Sequence, residues 1–239
     1  MSATPADPPG YRHVCFDLDG TLVDSRADLA SAMNHVLRSL GRAPLSPEAL
    51  HSFVGEGARR LVEQSLGKAP PALVDAALAR FMERYAAHLL DATVPYPGIV
   101  AMLDGLASRG LVLSILTNKP EAMSRAIVAG LGLASRFLAV VGGDSLPTRK
   151  PATAGVDWLL AAGGTRRDEL LLVGDSGIDV RTAAAAGVAF CGVSWGLTRD
   201  GMLAEGPERV IDAPAQLLDV VDGRHAATGA ASRAPYSVR

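Results

Sequence analysis

The chain has 239 residues with a formal net charge of −2, and 49% of them are hydrophobic, which suits one or two domains with a sizeable core. This charge balance argues against a surface for nucleic acid or an anionic membrane, and no apolar run approaches the ~20 residues of a membrane-spanning helix. Two cysteines in apolar runs predict reduced core thiols, and residues 1–10 lack a signal-peptide pattern, so we expect a cytoplasmic protein.

The first half of the chain is predicted to be largely helical. Residues 1–10 and 223–239 are rich in Ala, Ser, Gly and Pro, which is typical of disordered ends. A short apolar strand precedes Asp17. In residues 25–94 the apolar positions recur at helical spacing and no convincing strand occurs, so we assign this segment to an all-helical cap domain.

The second half alternates between short apolar runs and helices. The predicted strands are residues 111–116, 137–141, 170–173 and 188–193. The predicted helices are residues 98–109, 120–130, 151–162 and 178–186. This alternation predicts a parallel sheet covered on both faces. We therefore expect an α/β protein: a Rossmann-like doubly wound parallel sheet core, made of residues 11–24 and 95–222, with an inserted all-helical cap.

Polar side chains follow four of the predicted strands. In chain order they are Asp17 and Asp19, then Thr117 and Asn118, then Lys150, then Asp175 and Asp179. In open α/β sheets, ligands bind at the carboxyl ends of the strands. Three of the carboxylates, those of Asp17, Asp19 and Asp175, can surround one hard cation such as Mg²⁺, which prefers oxygen ligands.

The remaining side chains suit a phosphate group. Thr117 and Asn118 offer donors just before a predicted helix, and Lys150 offers positive charge for phosphate oxygens. An anionic substrate facing several carboxylates would be repelled without the cation and the lysine, so the grouping requires all of its members.

The four motifs resemble those of phosphatases of the haloacid dehalogenase superfamily. The matching segments are residues 17–22 (DLDGTL), 117–118 (TN), 150–151 (KP) and 174–179 (GDSGID). The similarity extends over about residues 11–222 and includes the helical insertion after the first motif. Four motifs in order are a specific signal, whereas a DxD pair alone is weak.

Within that superfamily, the chain is similar to the phosphoglycolate phosphatases. The similar segments are residues 22–25 (LVDS), 96–98 (YPG), 117–119 (TNK) and the cap loop 53–58 (FVGEGA). The chain departs from the subgroup at Thr153, where a second proline is usual, and at residues 194–197. The resemblance implies a substrate-specificity loop at Gly55, Glu56 and Gly57, with Arg59 nearby; a plain turn and a solvated helix face are the structural alternatives.

The resemblance also implies a mechanism. Asp17 would attack phosphorus, and Asp19 would carry the proton of the leaving alcohol and then of water. Mg²⁺ would be held by Asp17, Asp175 and the main-chain oxygen of Asp19, and Asp179 would orient the metal ligands or Lys150. The side chains that would hold the phosphate oxygens are Thr117, Asn118 and Lys150. The expected partner is a small phosphorylated metabolite, 2-phosphoglycolate first, with no nucleic acid, membrane or protein partner inferred.

Other functions fit parts of the pattern. A sugar phosphomutase of the same superfamily would form the same aspartyl-phosphate and return the phosphoryl group to a sugar. From a different class, a receiver domain also phosphorylates an aspartate at a parallel sheet edge, although it has no inserted cap. A degenerate binding module is a further non-enzymatic alternative. Phosphate release with turnover separates these classes.

Overall fold

A computed structural model describes residues 10–46, 49–50, 53, 55 and 57–224. The ends predicted to be disordered therefore lie outside the described residues, apart from Gly10, Gly223 and Arg224, and so does Glu56 of the predicted specificity loop. Within the described part of the chain, no helix is long and apolar enough to cross a membrane.

A six-stranded parallel sheet forms the centre of the protein. Its strands, numbered along the chain, are β1 (His13–Phe16), β4 (Val112–Leu116), β5 (Ala139–Val141), β6 (Leu170–Gly174), β7 (Ala189–Val193) and β8 (Val210–Ile211). The spatial order is β5-β4-β1-β6-β7-β8, and every adjacent pair is parallel. Because the chain builds outward from β1 on one side and then continues on the other, the topological switch point lies beside β1.

Helices cover both faces of this sheet. They are α4 (Ile99–Ser108), α5 (Glu121–Gly130), α6 (Ala154–Gly163), α7 (Gly177–Ala186), α8 (Arg199–Ala204) and α9 (Gln216–Val221). Val14 and Phe16 pack into the cluster that holds residues of α4, α5 and α9, whereas Cys15 packs into the cluster of α6 and α7. This alternation of neighbouring side chains is the period of a strand buried on both faces. The predicted doubly wound parallel sheet is confirmed.

The segment between the first and second sheet strands contains α1 (Arg26–Ser39), α2 (Ala58–Leu66) and α3 (Pro71–Ala87). These helices share a hydrophobic cluster of their own, which includes Met33, Val62 and Phe81. The segment is joined to the sheet by a short antiparallel pair, β2 (Val23–Asp24) with β3 (Val94–Pro95). We call this segment the helical block.

The exit from the helical block is fixed by a buried carboxylate. Asp28, on the first turn of α1, accepts hydrogen bonds from the Ala92 and Thr93 backbone N–H groups and from the Thr93 hydroxyl. The points where the chain enters and leaves the helical block therefore lie side by side. The point of entry comes only a few residues after Asp19 in the chain. The helical block sits where the carboxyl ends of the strands can be reached from it.

Candidate active site

Asp17 lies at the middle of the sheet edge that the carboxyl ends of the strands form. It directly follows β1, and its backbone N–H donates to the Val173 carbonyl at 2.9 Å. Its side chain is buried, and the residue is 6% exposed. Burial raises the pKa of Asp17 to about 6, an effect that Lys150 opposes and Asp179 adds to. A buried carboxylate at the end of a central strand is poised to meet a ligand at the topological switch point.

Lys150 balances this charge. Its Nζ lies 2.9 Å from Asp17 Oδ1 and 2.6 Å from Asp179 Oδ1, and the residue is 4% exposed. Burial alone would lower the pKa of Lys150, but the attraction of Asp17 and Asp179 outweighs it and holds the pKa above the usual range. The ammonium is therefore charged and bridges two carboxylates.

Asp175 follows β6 and is held by a ring of donors. Its Oδ1 accepts from the Thr21 hydroxyl at 3.0 Å, and its Oδ2 accepts from the backbone N–H groups of Leu197 and Thr198 at 2.8 and 3.1 Å. Burial, together with the charges of Asp17 and Asp179, raises the pKa of Asp175 to about 7, although the two N–H groups oppose the change.

Three buried carboxylates meet at this edge. Oxygens of Asp17, Asp175 and Asp179 lie within 4.8 Å of one another. Such a set of oxygens suits a hard divalent cation. Burial first, and then the neighbouring carboxylates, raise the pKa values of Asp17 and Asp175, and a bound cation would stabilise the charged forms against both effects. The predicted ligands Asp17 and Asp175 are thus brought together. The carboxylate of Asp19 is not in this group, so its predicted ligand atom, the main-chain oxygen, stays a prediction.

Asp179 serves two neighbours. Besides meeting Lys150, its Oδ2 accepts from the Ser176 backbone N–H at 3.1 Å and from the Ser176 hydroxyl, and the Ser176 hydroxyl in turn accepts from the Asp179 N–H. This is a capping box at the start of α7, and it fixes the carboxylate that faces Lys150.

Backbone closes tightly around Asp175. A Cβ at Gly196 would lie 2.1 Å from Asp175 Cβ, and one at Gly20 would lie 2.4 Å from Asp175 Oδ2. Gly196→Ala is therefore expected to destabilise the protein by about 1–3 kcal/mol, as overpacking does, and to lower activity by displacing Asp175. Gly201→Ala is the control, because no atom beyond the neighbouring backbone of its own helix lies within 4 Å of its added Cβ. Urea unfolding checks both; equal stability of the two variants would contradict the tight fit.

Asp19 faces away from the three carboxylates toward the helical block. Its Oδ1 accepts from the Ser25 hydroxyl at 2.6 Å, and Lys119 Nζ donates to both of its oxygens at 2.9 Å. Lys119 Nζ also donates to the hydroxyl of Tyr85 on α3. The predicted proton carrier thus has a fixed cationic partner. Sequence reasoning missed this role of Lys119, whose only signal was its position directly after Thr117-Asn118.

Thr117 and Asn118 follow β4 and are buried. The Asn118 side-chain amide donates to the carbonyls of Lys150 and Gly55 at 3.2 and 3.4 Å, so it ties two loops together. Among the described residues, the Asn118 backbone N–H has no hydrogen-bond partner and can donate to a ligand. The Thr117 hydroxyl accepts from the Lys119 N–H at 3.3 Å, and among the described residues its own hydrogen has no acceptor, so it can donate to a ligand.

A partly open cavity of about 50 Å³ connects these groups to the helical block. Its lining includes Asp17, Asp19 and Lys119, together with Gly55 and Gly57 of the predicted specificity loop. Arg59 does not line it: its Nη2 pairs with Asp75 Oδ1 at 2.7 Å on the exposed side of the helical block. The contact of Arg59 with substrate stays a prediction without support from this geometry.

The chain is similar to a known family of hydrolases. Residues 14–193 match the family described as haloacid dehalogenase-like hydrolase, and the chain belongs to that family. The match contains the strand before Asp17 and the segments that carry Lys150 and Asp175.

Several individual proteins that are similar to this chain are named phosphoglycolate phosphatases. The chain is 44% identical over 167 residues to a phosphoglycolate phosphatase of Rhodospirillum rubrum, a match that covers 66% of this chain and 69% of that protein. It is 40% identical over 167 residues to a phosphoglycolate phosphatase of Pseudomonas putida, covering 67% of this chain and 61% of that protein. Among solved structures, a predicted phosphoglycolate phosphatase from Haemophilus somnus superposes with a TM-score of 0.83 at 28% identity, covering 88% of this chain and 98% of that one.

Proposed function

We propose that the protein is a Mg²⁺-dependent phosphomonoester hydrolase that acts through an aspartyl-phosphate on Asp17. The observation that carries this proposal is the meeting of buried Asp17 with Lys150 and Asp175 at one sheet edge. A carboxylate at that place can act as a nucleophile toward phosphorus, and the helical block supplies a cap over it.

The first step transfers the phosphoryl group to the protein. A carboxylate oxygen of Asp17 attacks phosphorus as the bond from phosphorus to the ester oxygen breaks. Asp19, which enters this step as the neutral acid, gives its proton to the leaving alcohol and becomes the carboxylate that Lys119 contacts. In the second step water attacks phosphorus, Asp19 takes the proton of that water, and the bond from phosphorus to Asp17 breaks. Inorganic phosphate leaves and both carboxyl groups return to their starting states.

The other residues hold the transferring group in place. Lys150, the Thr117 hydroxyl and the Asn118 backbone N–H would bind the phosphoryl oxygens, so that positioning and fixed charge lower the barrier. Asp17, Asp175 and the main-chain oxygen of Asp19 would hold Mg²⁺, which supplies positive charge against the phosphoryl oxygens. Asp179 fixes Lys150 from behind and keeps its ammonium directed at Asp17.

We propose 2-phosphoglycolate as the substrate. Named phosphoglycolate phosphatases are among the relatives of this chain, and a cavity of about 50 Å³ beside Asp17 and Asp19 suits a small leaving group. We also place the protein in the cytoplasm, which the two free, buried cysteines Cys15 and Cys191 support.

A panel of phosphorylated metabolites tests the proposal. The expected result is Mg²⁺-dependent phosphate release with the highest kcat/KM for 2-phosphoglycolate, and loss of release with a chelator. Similar values for sugar phosphates, pyrophosphate and nucleotides would refute the substrate but not the reaction. Absence of turnover on every ester would refute the reaction, and phosphoryl transfer between sugar positions would indicate a mutase.

The raised pKa values predict how Mg²⁺ affects stability. Folding raises the pKa of Asp17 to about 6 and of Asp175 to about 7 from the model-peptide value of 3.8. In the metal-free protein these groups therefore cost stability as pH rises above 3.8, and the full cost is reached above about 7. Mg²⁺ binds the ionised carboxylates and competes with protons.

We accordingly expect Mg²⁺ to raise the melting temperature more at pH about 8 than at pH about 5. Thermal unfolding with Mg²⁺ or with chelator at both pH values measures the difference. Asp175→Asn provides the control, because the Mg²⁺-induced shift should be small in this variant at either pH. A shift of equal size at both pH values in the parent protein would contradict the assignment of these carboxylates.

A further inference from the structure

Lys119 is a second buried cation at the site, separate from the lysine assigned to the phosphate. The residue is 7% exposed, and its Nζ lies 4.6 Å from the centre of the Tyr85 ring while it donates to Asp19 and to the Tyr85 hydroxyl. The ion pair of Lys119 with Asp19 at 2.9 Å and its contact with Tyr85 hold the ammonium in one place. The side chain is thus a fixed positive charge.

The surroundings of Lys119 are otherwise apolar on the side of the helical block. Phe53, Leu61, Phe81, Met82 and Met123 line the same cavity. Lys119 is the one positively charged side chain among the described residues that line this cavity. A positive charge in an apolar cavity is costly unless an anion faces it, and Asp19 is the anion that does so in this structure.

Tyr85 adds a neutral donor next to this charge. Its hydroxyl oxygen accepts a hydrogen bond from Lys119, and among the described residues its own hydrogen has no acceptor. Burial raises the pKa of Tyr85 to about 12, so the hydroxyl keeps that hydrogen at neutral pH. Tyr85 is itself buried and lines the cavity, so the unused hydrogen is available to a ligand inside it.

We infer that Lys119 and Tyr85 form the subsite for a carboxylate on the substrate, and that they select phosphorylated carboxylic acids over phosphorylated alcohols. An ammonium and a neighbouring O–H are complementary to the two oxygens of a carboxylate, and hydrogen bonds to charged groups are the strong ones. The three ammonium hydrogens of Lys119 face the two Asp19 oxygens and the Tyr85 hydroxyl, so the substrate carboxylate would take over a hydrogen from one of these acceptors. This inference rests on the proposed phosphatase function and deepens it.

The two donors come from different parts of the fold. Lys119 belongs to the loop after β4, whereas Tyr85 belongs to α3 of the helical block. The subsite is therefore complete only when the helical block lies over the sheet edge, as it does here. A carboxylate held between them would contact both parts, whereas an alcohol of the same size would leave the ammonium without a charged partner from the substrate.

A simpler role for Lys119 is to position Asp19 alone. The two roles differ in a ratio that can be measured. If Lys119 only positions Asp19, its loss lowers kcat/KM equally for every ester. If Lys119 also binds the substrate carboxylate, its loss lowers kcat/KM further for an ester that has one.

The test compares 2-phosphoglycolate with 2-hydroxyethyl phosphate, which replaces the carboxylate by a neutral alcohol of similar size. For Lys119→Met we expect both kcat/KM values to fall, with that for 2-phosphoglycolate falling about 10–100-fold further, the range that loss of a hydrogen bond to a charged group gives. Lys119→Arg should recover part of this preference. Tyr85→Phe keeps the ring and should reduce the preference about 3–10-fold, as loss of one hydrogen bond does.

Lys68→Met, which removes an exposed lysine, is the matched control and should leave the ratio unchanged. An equal fall of both kcat/KM values in Lys119→Met, or an unaltered ratio in Tyr85→Phe, would overturn the carboxylate subsite and leave the phosphatase function intact. Absence of hydrolysis of either ester by the parent protein would instead refute the proposed function. Should Lys119→Met fail to fold, Tyr85→Phe decides the question.

Discussion

Asp17→Asn is expected to lower kcat for phosphate release by at least about 10⁴-fold, the scale on which losing a catalytic nucleophile acts. The amide is nearly isosteric with the carboxylate but is a poor nucleophile, and it cannot regenerate a carboxylate after phosphoryl transfer. The variant is expected to fold, because it replaces a buried carboxyl group by a neutral amide. Burial already disfavours the charged form of that carboxyl group and raises its pKa to about 6. Steady-state release of inorganic phosphate with Mg²⁺ present measures the effect.

Asp168→Asn is the matched control for this variant. Asp168 is an exposed carboxylate just before β6, at the opposite edge of the sheet, and it pairs with Arg166. Its replacement should leave kcat within about twofold and stability within about 0.5 kcal/mol, as surface substitutions do. Residual activity of Asp17→Asn at more than a few per cent of the parent would show that another group attacks phosphorus.

Lys150→Met is expected to have the second largest effect, on stability as well as on activity. The substitution leaves Asp17 and Asp179 buried without their shared cation, and removing one partner of a buried ion pair costs about 3–5 kcal/mol. In the presence of a chelator this loss should be larger at pH about 8 than at pH about 5, because protonation of Asp17, whose pKa is about 6, relieves the repulsion at the lower pH.

Urea unfolding at the two pH values measures this dependence, and phosphate release measures activity, which should fall by about 10²–10³-fold because a fixed charge on the phosphoryl oxygens is gone. Lys68→Met again supplies the control for loss of a lysine, since Lys68 is exposed. A variant at position 150 that unfolds at the same urea concentration as the parent at pH about 8 would mean that the two carboxylates do not depend on Lys150.

Much of the sheet is predictable from local patterns. Residues 170–173 form a continuous apolar run because β6 is buried on both faces, and the observed strand differs from the predicted one by a single residue. The strand that delivers Asp17 was also expected from its apolar run, and β1 ends at Phe16, directly before Asp17. Strand β8 escaped prediction because two residues, Val210 and Ile211, are too few for any period to be seen. The short pair of β2 and β3 escaped for the same reason.

The site is predictable where one strand end delivers one group. Asp17 and Asp175 each directly follow a strand of a parallel sheet, so topology brings them to one edge. Lys150 comes after β5 in the chain, and the loop that follows β5 carries it to the same edge. The contacts of Lys119 with Asp19 and Tyr85 were not predictable, because they depend on how the helical block lies over the sheet. Lys119 is 100 residues from Asp19 and 34 residues from Tyr85 in the chain, so no sequence periodicity predicts these contacts.

The family resemblance implies different roles for the two acidic residues of the first motif, and the structure adds that their side chains have different partners. Asp17 and Asp19 are two residues apart and are chemically alike, yet one meets Lys150 and the other meets Lys119. Each carboxylate has its own buried lysine, so two negative charges coexist within one turn of chain. This arrangement fits a nucleophile and a proton carrier that act at different atoms of one ester.

Mass spectrometry of the acid-quenched protein during turnover of 2-phosphoglycolate tests the proposed mechanism most directly. Cleavage after arginine releases residues 13–26, which contain Asp17. The proposed mechanism predicts that this peptide gains the mass of one phosphoryl group at Asp17 in the parent protein, and that Asp17→Asn shows no such gain. Rapid release of glycolate with an unmodified peptide at every quench time, or a phosphoryl group on another residue, would contradict an aspartyl-phosphate at Asp17.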